Sequence, residues 1–320
     1  MASTVLTTVH GAAALHDEGV TRPVDPRRGG GVPEGDTVWR TATRLNEALA
    51  GREIVESDLR WPEISTVDLT GRTTLEVVSR GKHVLHRVEG GLTLHSHLRM
   101  EGQWRVEATP GLASRWRRSP QLRALVAAAD WTALGLRLGM LDLVPTARES
   151  DVVGHLGPDV LGADWDLARA VDNVVAGHVP VGQALLDQRN LAGVGTMWCA
   201  ETLFLERVPP WTPADELGRD TVERVVARAH RLIDNGRRHA VQSSTGSYRL
   251  DEAHYVHARS GRPCRRCGTT VRVAMIGEPT RERTMFYCPG CQGGLGPTDD
   301  GRPQAPLGSN RGAARSRRSY

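Results

Sequence analysis

Two cysteine pairs, Cys264-x2-Cys267 and Cys288-x2-Cys291, stand 20 residues apart and constrain the C-terminal part of the chain more than any other feature. A Cys-x2-Cys turn brings two thiolates to one side of a tight knuckle, and two such knuckles complete a tetrahedral set. This spacing reads as a four-cysteine zinc ribbon holding one Zn2+. With all four positions filled by sulfur, the metal has no place for water and its role is structural. Between the knuckles, Val271–Ile276 and Thr284–Tyr287 predict a hairpin with Arg283 near its tip. There Arg283 either reaches a phosphate or is a solvated turn arginine. The fifth cysteine, Cys199, lies on an apolar helix face, as a buried structural thiol does. Four clustered cysteines out of five argue against a disulfide framework and for a reduced, cytoplasmic setting.

At the other end, Gly31-Val32-Pro33-Glu34-Gly35-Asp36-Thr37 leads into a helical pattern of Val38, Trp39, Ala42, Leu45 and Leu49, ended by Gly51. The plain reading is a helix start in which Asp36 caps the first turn. The residues before Val32 carry no sustained periodicity and no secretory or transit pattern, so 1–32 is expected to be a disordered extension upstream of the true start. A valine codon can serve as a start. Translation from Val32, read as methionine and then removed, would leave Pro33 with a free secondary amine. Unperturbed α-amines titrate at roughly 7.7–8.0, so such an amine is partly nucleophilic at neutral pH. Attack on a sugar C1′ would give an iminium, with Glu34 as the adjacent proton donor.

The 320 residues allow two or three modest domains, and no run approaches the roughly 18 apolar residues of a membrane span. A formal charge of +4 fits a polyanion partner without requiring one. Of the 41 Lys+Arg, Lys82 alone is lysine. Either it was retained by chance, or the site needs a compact amine that can release its proton, which a guanidinium cannot. Strand patterns over Thr74–Ser79 and His83–Val88 put Lys82 at a hairpin tip, with Leu92–His97 following. In His97-Leu98-Arg99-Met100-Glu101-Gly102, an exposed Arg99 or Met100 can wedge into a base stack, or Met100 belongs to the core. Leu134–Val144 reads as a strand pair. Beyond Leu156-Gly157-Pro158 the period turns helical, with Gly182–Gln188, a Gly-rich turn over Asn190–Thr196, Met197–Leu205, and Asp215–Arg237. Backbone N–H groups at that turn form a phosphate cradle or simply join two helices. After Gln292 the chain is Gly/Pro-rich and ends in a basic tail.

Four features in this order make the chain resemble the formamidopyrimidine-DNA glycosylase / endonuclease VIII family, closest to its bacterial endonuclease VIII-like branch. They are Pro33-Glu34-Gly35, Arg80-Gly81-Lys82-His83, Leu186-Asp187-Gln188-Arg189 with Leu191-Ala192-Gly193-Val194-Gly195, and the ribbon with Arg283 five residues before Cys288 and Gln292 after Cys291. The resemblance implies an α+β multidomain fold: an N-terminal two-sheet β-sandwich (33–150), a helix–two-turn–helix domain (151–245), a zinc finger (246–293) and a disordered basic tail (294–320). It implies damaged DNA as partner and a monomer with no membrane association, acting at the nucleoid. Pro33 resembles the Schiff-base nucleophile, Glu34 the proton donor, Lys82 the donor for β-elimination and Arg283 the one for δ-elimination.

The sequence also departs from the pattern. Thr37 stands where a second acidic residue is common, and Thr196 where a phosphate-binding Asn usually follows the turn. His155, an imidazole whose charge depends on pH, replaces an Arg of some relatives. Arg99 falls at a stack-entering Gln of some members, and Met285 at a usually small residue. These changes bear on DNA contacts at Arg99, Met100, His155 and Thr196 more than on the core chemistry. The expected function is a bifunctional glycosylase/AP lyase for oxidised bases, pyrimidines favoured. A catalytically inactive paralogue that binds DNA structure is the alternative.

Overall fold

The computed structural model describes residues 33–307; the extension expected over 1–32 lies outside the described residues. Helix α1 (Gly35–Leu49) is the first element among the described residues, and its apolar residues Val38, Ala42, Leu45 and Leu49 recur at helical spacing and are buried. Its N-cap is Glu34, not the expected Asp36, which lies in the first turn and makes no cap hydrogen bond. The reason is non-local: Gln242 Nε2 donates to Asp36 Oδ1 at 2.8 Å.

Eight antiparallel strands follow: β1 (Glu56–Leu59), β2 (Thr74–Arg80), β3 (His83–Val88), β4 (Leu92–His97), β5 (Gln103–Ala108), β6 (Leu122–Ala127), β7 (Trp131–Leu136) and β8 (Met140–Pro145). They form two sheets, β1-β6-β7-β5 and β2-β3-β4-β8. The expected strand pair across Leu134–Val144 is corrected here. Strands β7 and β8 are consecutive but belong to different sheets, because Arg137 (φ +50°) turns the chain from one layer to the other. Residues from both sheets and the buried face of α1 share one core, including Leu45, Val84, Leu94, Val126 and Leu141. Removing such side chains from water contributes about 1.5–3 kcal/mol each.

The second core is helical. Around α6 (Thr196–Leu205) pack α4 (Leu167–Val175), α5 (Val181–Leu186) and α7 (Arg219–Gly236); two single-turn helices, α2 (Ser114–Arg117) and α3 (Ser150–Val153), precede them. Helix α4 carries no sequence signal strong enough to stand out, yet Asp166 caps it by accepting from the Arg169 N–H at 3.0 Å. The single helix expected over Asp215–Arg237 is interrupted at Gly218, whose φ of +76° ends a 3-10 turn before α7 begins. Among the described residues no helix is long and apolar enough to cross a membrane.

Strands β9 (Arg272–Ile276) and β10 (Arg283–Tyr287) pair as the expected hairpin, and Arg283 stands at its turn end opposite Ile276. Met285, unusual in the sequence, is fully buried over Gly182, so a small residue on one side of the contact accommodates a large one on the other. Gln292 accepts from the Cys288 N–H and donates to the Val208 carbonyl, both at 2.9 Å, tying ribbon to helices.

The tail expected to be disordered from 294 instead docks on the ribbon as far as the structure describes it. Arg272 donates through two nitrogens to the fully buried Asp299 carboxylate, and Tyr287 Oη donates to the same group at 2.6 Å. Gln304 exchanges hydrogen bonds with the Val273 N–H and carbonyl, both at 2.8 Å, along the edge of β9. Composition suggested disorder because a few specific polar anchors do this work without any apolar periodicity. Leaving one member of a buried ion pair unpartnered costs about 3–5 kcal/mol. Asp299→Ala should therefore lower the ribbon's local stability by roughly that amount, seen as faster amide exchange across β9 and β10. Unchanged exchange there would show that the strap contributes nothing.

Candidate active site

The site assembles where α1 begins. Glu34 is fully buried, and its carboxylate accepts from the backbone N–H groups of Gly195 (2.8 Å), Met197 (2.7 Å) and Trp198 (3.2 Å). These are the orphan donors at the N-terminus of α6, where the helix dipole favours negative charge. Gly195 has to be glycine, since a Cβ there would come within 2.4 Å of Glu34 Cδ. One residue on, the Gly35 N–H donates to the Gly193 carbonyl at 2.9 Å. Burial pushes the Glu34 pKa up to about 7, against the opposing pull of Lys82 and of the backbone donors.

Pro33, half-buried, directly precedes this carboxylate. Lys82 is also half-buried, although a projecting hairpin-tip side chain was expected. Two contacts draw its hairpin inward: the Gly81 N–H donates to Asp159 Oδ2 at 2.7 Å, and Arg80 donates to the Gly157 carbonyl at 3.1 Å. Gly81, at φ +57°, leaves no room for a Cβ against Ala192. Burial lowers the Lys82 pKa, with Arg283 acting in the same direction and Glu34 opposing. Glu34, Lys82 and Arg283 thus share one electrostatic neighbourhood, drawn from the sandwich, its hairpin and the ribbon.

The other expected contact residues surround this centre. Arg99 and Met100 are exposed, Met100 at 68%, on a turn closed by the Gly102 N–H donating to the Leu98 carbonyl at 2.9 Å. His155 is exposed, with its ring 6.4 Å from His83. Thr196 is half-buried at the first position of α6, and its side chain bonds to no described residue. Cys199 is buried, as its apolar helix face suggested.

Sequence reasoning missed Asp159, Gln242 and Glu201. Glu201 is fully buried in α6 and accepts from the N–H groups of Tyr255, Val256 and His257 at 2.7–2.9 Å. Nothing in local pattern marks these residues, because each acts on backbone far away in sequence. Arg137, also missed, pairs with Glu101 at 3.2 Å beside the Met100 turn.

The sulfurs of Cys264, Cys267, Cys288 and Cys291 all lie within 4.8 Å of one another. Tetrahedral thiolate coordination at about 2.3 Å places sulfurs about 3.8 Å apart. The pairs Cys264–Cys291 at 4.0 Å and Cys267–Cys288 at 3.4 Å bracket that figure, so the set fits a metal ion.

Known proteins match this arrangement. Residues 32–134 match the model of the formamidopyrimidine-DNA glycosylase N-terminal domain, and residues 156–248 that of the formamidopyrimidine-DNA glycosylase H2TH domain. The chain belongs to the formamidopyrimidine-DNA glycosylase / endonuclease VIII family of DNA repair enzymes. Within it, the Streptomyces coelicolor protein named "Probable endonuclease 8 2" is 52% identical over 274 residues, covering 85% of this chain and 98% of that protein. The DNA-(apurinic or apyrimidinic site) lyase Nei2 of Mycolicibacterium smegmatis is 41% identical over 262 residues, covering 82% and 99%. In fold, the chain is similar to Lactococcus lactis formamidopyrimidine-DNA glycosylase, solved bound to DNA containing an AP site. That comparison has a TM-score of 0.68 at 20% identity and covers 81% of this chain and 99% of the other.

The close approach at Gly195 yields a direct test. Gly195→Ala forces Glu34 out of its nest or the two domains apart, and overpacking of this kind costs about 1–3 kcal/mol. The midpoint of thermal unfolding should fall accordingly. An unchanged midpoint would mean that the Glu34 contact is not made in solution.

Proposed function

We propose that the protein is a bifunctional DNA glycosylase and AP lyase for oxidised bases, pyrimidines favoured, working through the amine of Pro33. The observation that carries the reading is the Glu34 carboxyl, held by three backbone donors next to Pro33 and facing Lys82. In the 1–320 chain the Pro33 nitrogen is bonded to Val32, so the chemistry requires release at that bond. A family match that begins at residue 32 supports such a start.

The free amine attacks C1′ of an extruded nucleotide, and the base departs with its bonding pair and a proton. Glu34 protonates the opening sugar ring oxygen, and the cationic imine makes the C2′ proton labile. Loss of that proton expels the 3′ phosphate. A second elimination, assisted by Arg283, expels the 5′ phosphate, and water then releases the sugar remnant from Pro33. Lys82, with its pKa lowered by burial, assists the first elimination. Met100, with Arg99, occupies the space left by the extruded base, while His155 and Thr196 contact phosphates. Zn2+ on the four cysteines would be structural, fixing the ribbon that presents Arg283.

Protein starting at Pro33, mixed with a thymine-glycol or abasic duplex and borohydride, should give a trapped covalent adduct, and the 1–320 form none. Lys82→Ala should slow strand cleavage by about 10²-fold or more, the scale of one positioned acid–base group. A blank result with the 33–320 form would end the lyase reading and favour a DNA-binding paralogue without catalysis.

The pH profile supplies a second check. The amine must be unprotonated, so kcat/KM rises with pH through roughly 7.7–8.0. Glu34 must be protonated, so activity falls as pH rises through its value of about 7. The product of the two fractions is a narrow bell between these values. In Glu34→Gln the alkaline limb should disappear along with most of the rate. A profile that keeps rising beyond pH 8 would remove Glu34 as the acid.

A further inference from the structure

Beside Lys82, the outer face of the β2-β3-β4-β8 sheet carries a run of imidazoles. His83 pairs with His97 across β3 and β4, and His95 pairs with Asp142 across β4 and β8. His83 Nδ1 lies 2.7 Å from His95 Nε2, and His95 Nδ1 lies 3.2 Å from Asp142 Oδ2. His95 is 1% exposed, so these two contacts are the side-chain hydrogen bonds that hold its ring.

The chemistry fixes the protons along this chain. A carboxylate only accepts, so His95 carries its hydrogen on Nδ1 and offers a lone pair at Nε2. His83 must then donate from Nδ1, which leaves its Nε2 as a bare lone pair. His97 is set the other way. Its Nδ1 accepts from the Arg99 backbone N–H at 2.9 Å, so its hydrogen is on Nε2. Neutral His97 can therefore donate to an anion, whereas neutral His83 cannot.

We propose that His83 is a further phosphate-binding residue of this cleft, one that takes a proton from solvent at Nε2 when a DNA phosphate docks, with His95 and Asp142 as the positioning residues. The proposal rests on the nucleic-acid reading above. One proton is gained from bulk water, Nε2–H then donates to the phosphate oxygen, and Nδ1–H stays bonded to His95. The new charge is stabilised along the chain by Asp142.

The groups facing His83 are His95 and His97 on β4, His155 at the end of α3, and Lys82 on its own hairpin. Burial and these neighbours push its pKa down to about 3, so it is uncharged at neutral pH before DNA arrives. Burial together with Lys82, Arg99 and His95 likewise holds His97 down at about 4. Burial lowers His95 against the opposing pull of Asp142 and Glu149. Protonating His97 would also break its bond to Arg99, so the uptake falls to His83. Because the pKa in the complex exceeds that of the free protein, affinity rises as pH falls between the two values. The limit is about tenfold per pH unit for one linked proton.

The test uses the full 1–320 chain and a duplex carrying a tetrahydrofuran abasic analogue, so binding does not depend on a free Pro33 amine. Calorimetry at constant ionic strength, in two buffers of different ionisation enthalpy, counts the protons taken up. About one proton is expected near pH 7, with Kd tightening by nearly tenfold per pH unit, so by tens of fold from pH 8 to pH 6. His83→Gln should abolish the uptake and flatten the pH dependence. Asp142→Asn should do the same, either by removing the stabilising charge or by reversing the tautomers along the chain. Binding without uptake, or uptake that persists in the folded His83→Gln and Asp142→Asn chains, would overturn the proposal. No binding by folded protein at any pH would overturn the nucleic-acid reading itself, and this inference with it.

Discussion

Everything in the centre of the molecule depends on one buried carboxylate meeting three backbone N–H groups. Glu34 is the N-cap of α1 and at the same time fills the N-terminal nest of α6, on the other side of the domain boundary. An unpaired carboxylate buried this deeply would cost several kcal/mol. Hydrogen bonds to a charged group return about 1.5–3 kcal/mol each, so three of them offset that penalty and fix the group's orientation. The contact is possible only because glycine lines both sides. Gly35 and Gly193 meet backbone to backbone, Gly195 lies under the carboxylate, and Gly236 leaves space for Trp198 and Asp36.

The same device recurs eight ångströms of helix further along, about five residues at 1.5 Å each. Glu201 on α6 gathers the N–H groups of 255–257 and holds the segment that leads into the ribbon. One helix thus anchors the start of α1 at its N-terminus and the approach to the ribbon at its middle. Arg40 adds a third connection by donating to the Gly236 and His239 carbonyls at the C-terminal end of α7. Cations are favoured at that end for the reason that anions are favoured at the other. Charged side chains meeting backbone groups thus join the domains beside their apolar contacts.

What could be read from the sequence follows from how far each interaction reaches. The ribbon, its hairpin and the β3–β4 turns were legible because ligand spacing and strand alternation are local. The exposure of Met100 was not, because the sequence left a core position equally open and only the fold decides between them. The helix cap at Asp36 was misread because Asp36 alone satisfies the local rule, and the rule is overridden by Gln242 and by α6, some 160 to 200 residues away. The docked segment 294–307 was illegible for a related reason. Asp299 and Gln304 find partners on β9 and β10, and their surroundings in sequence look like any Gly/Pro-rich linker. The pairing of His95 with Asp142 is a matter of sheet register, which alternation alone does not determine.

The single lysine can now be explained physically. Lys82 lies half-buried near a carboxyl whose own pKa is raised, and burial lowers that of the amine. The two groups are driven toward each other on the pH scale, Glu34 upward and Lys82 downward. An arginine at position 82 would remain charged at any accessible pH and could only offer electrostatic attraction. The other forty cationic side chains are all arginine. The lysine is confined to the place where losing a proton is part of the proposed chemistry. The glycine beside it, Gly81, keeps its hairpin against Ala192.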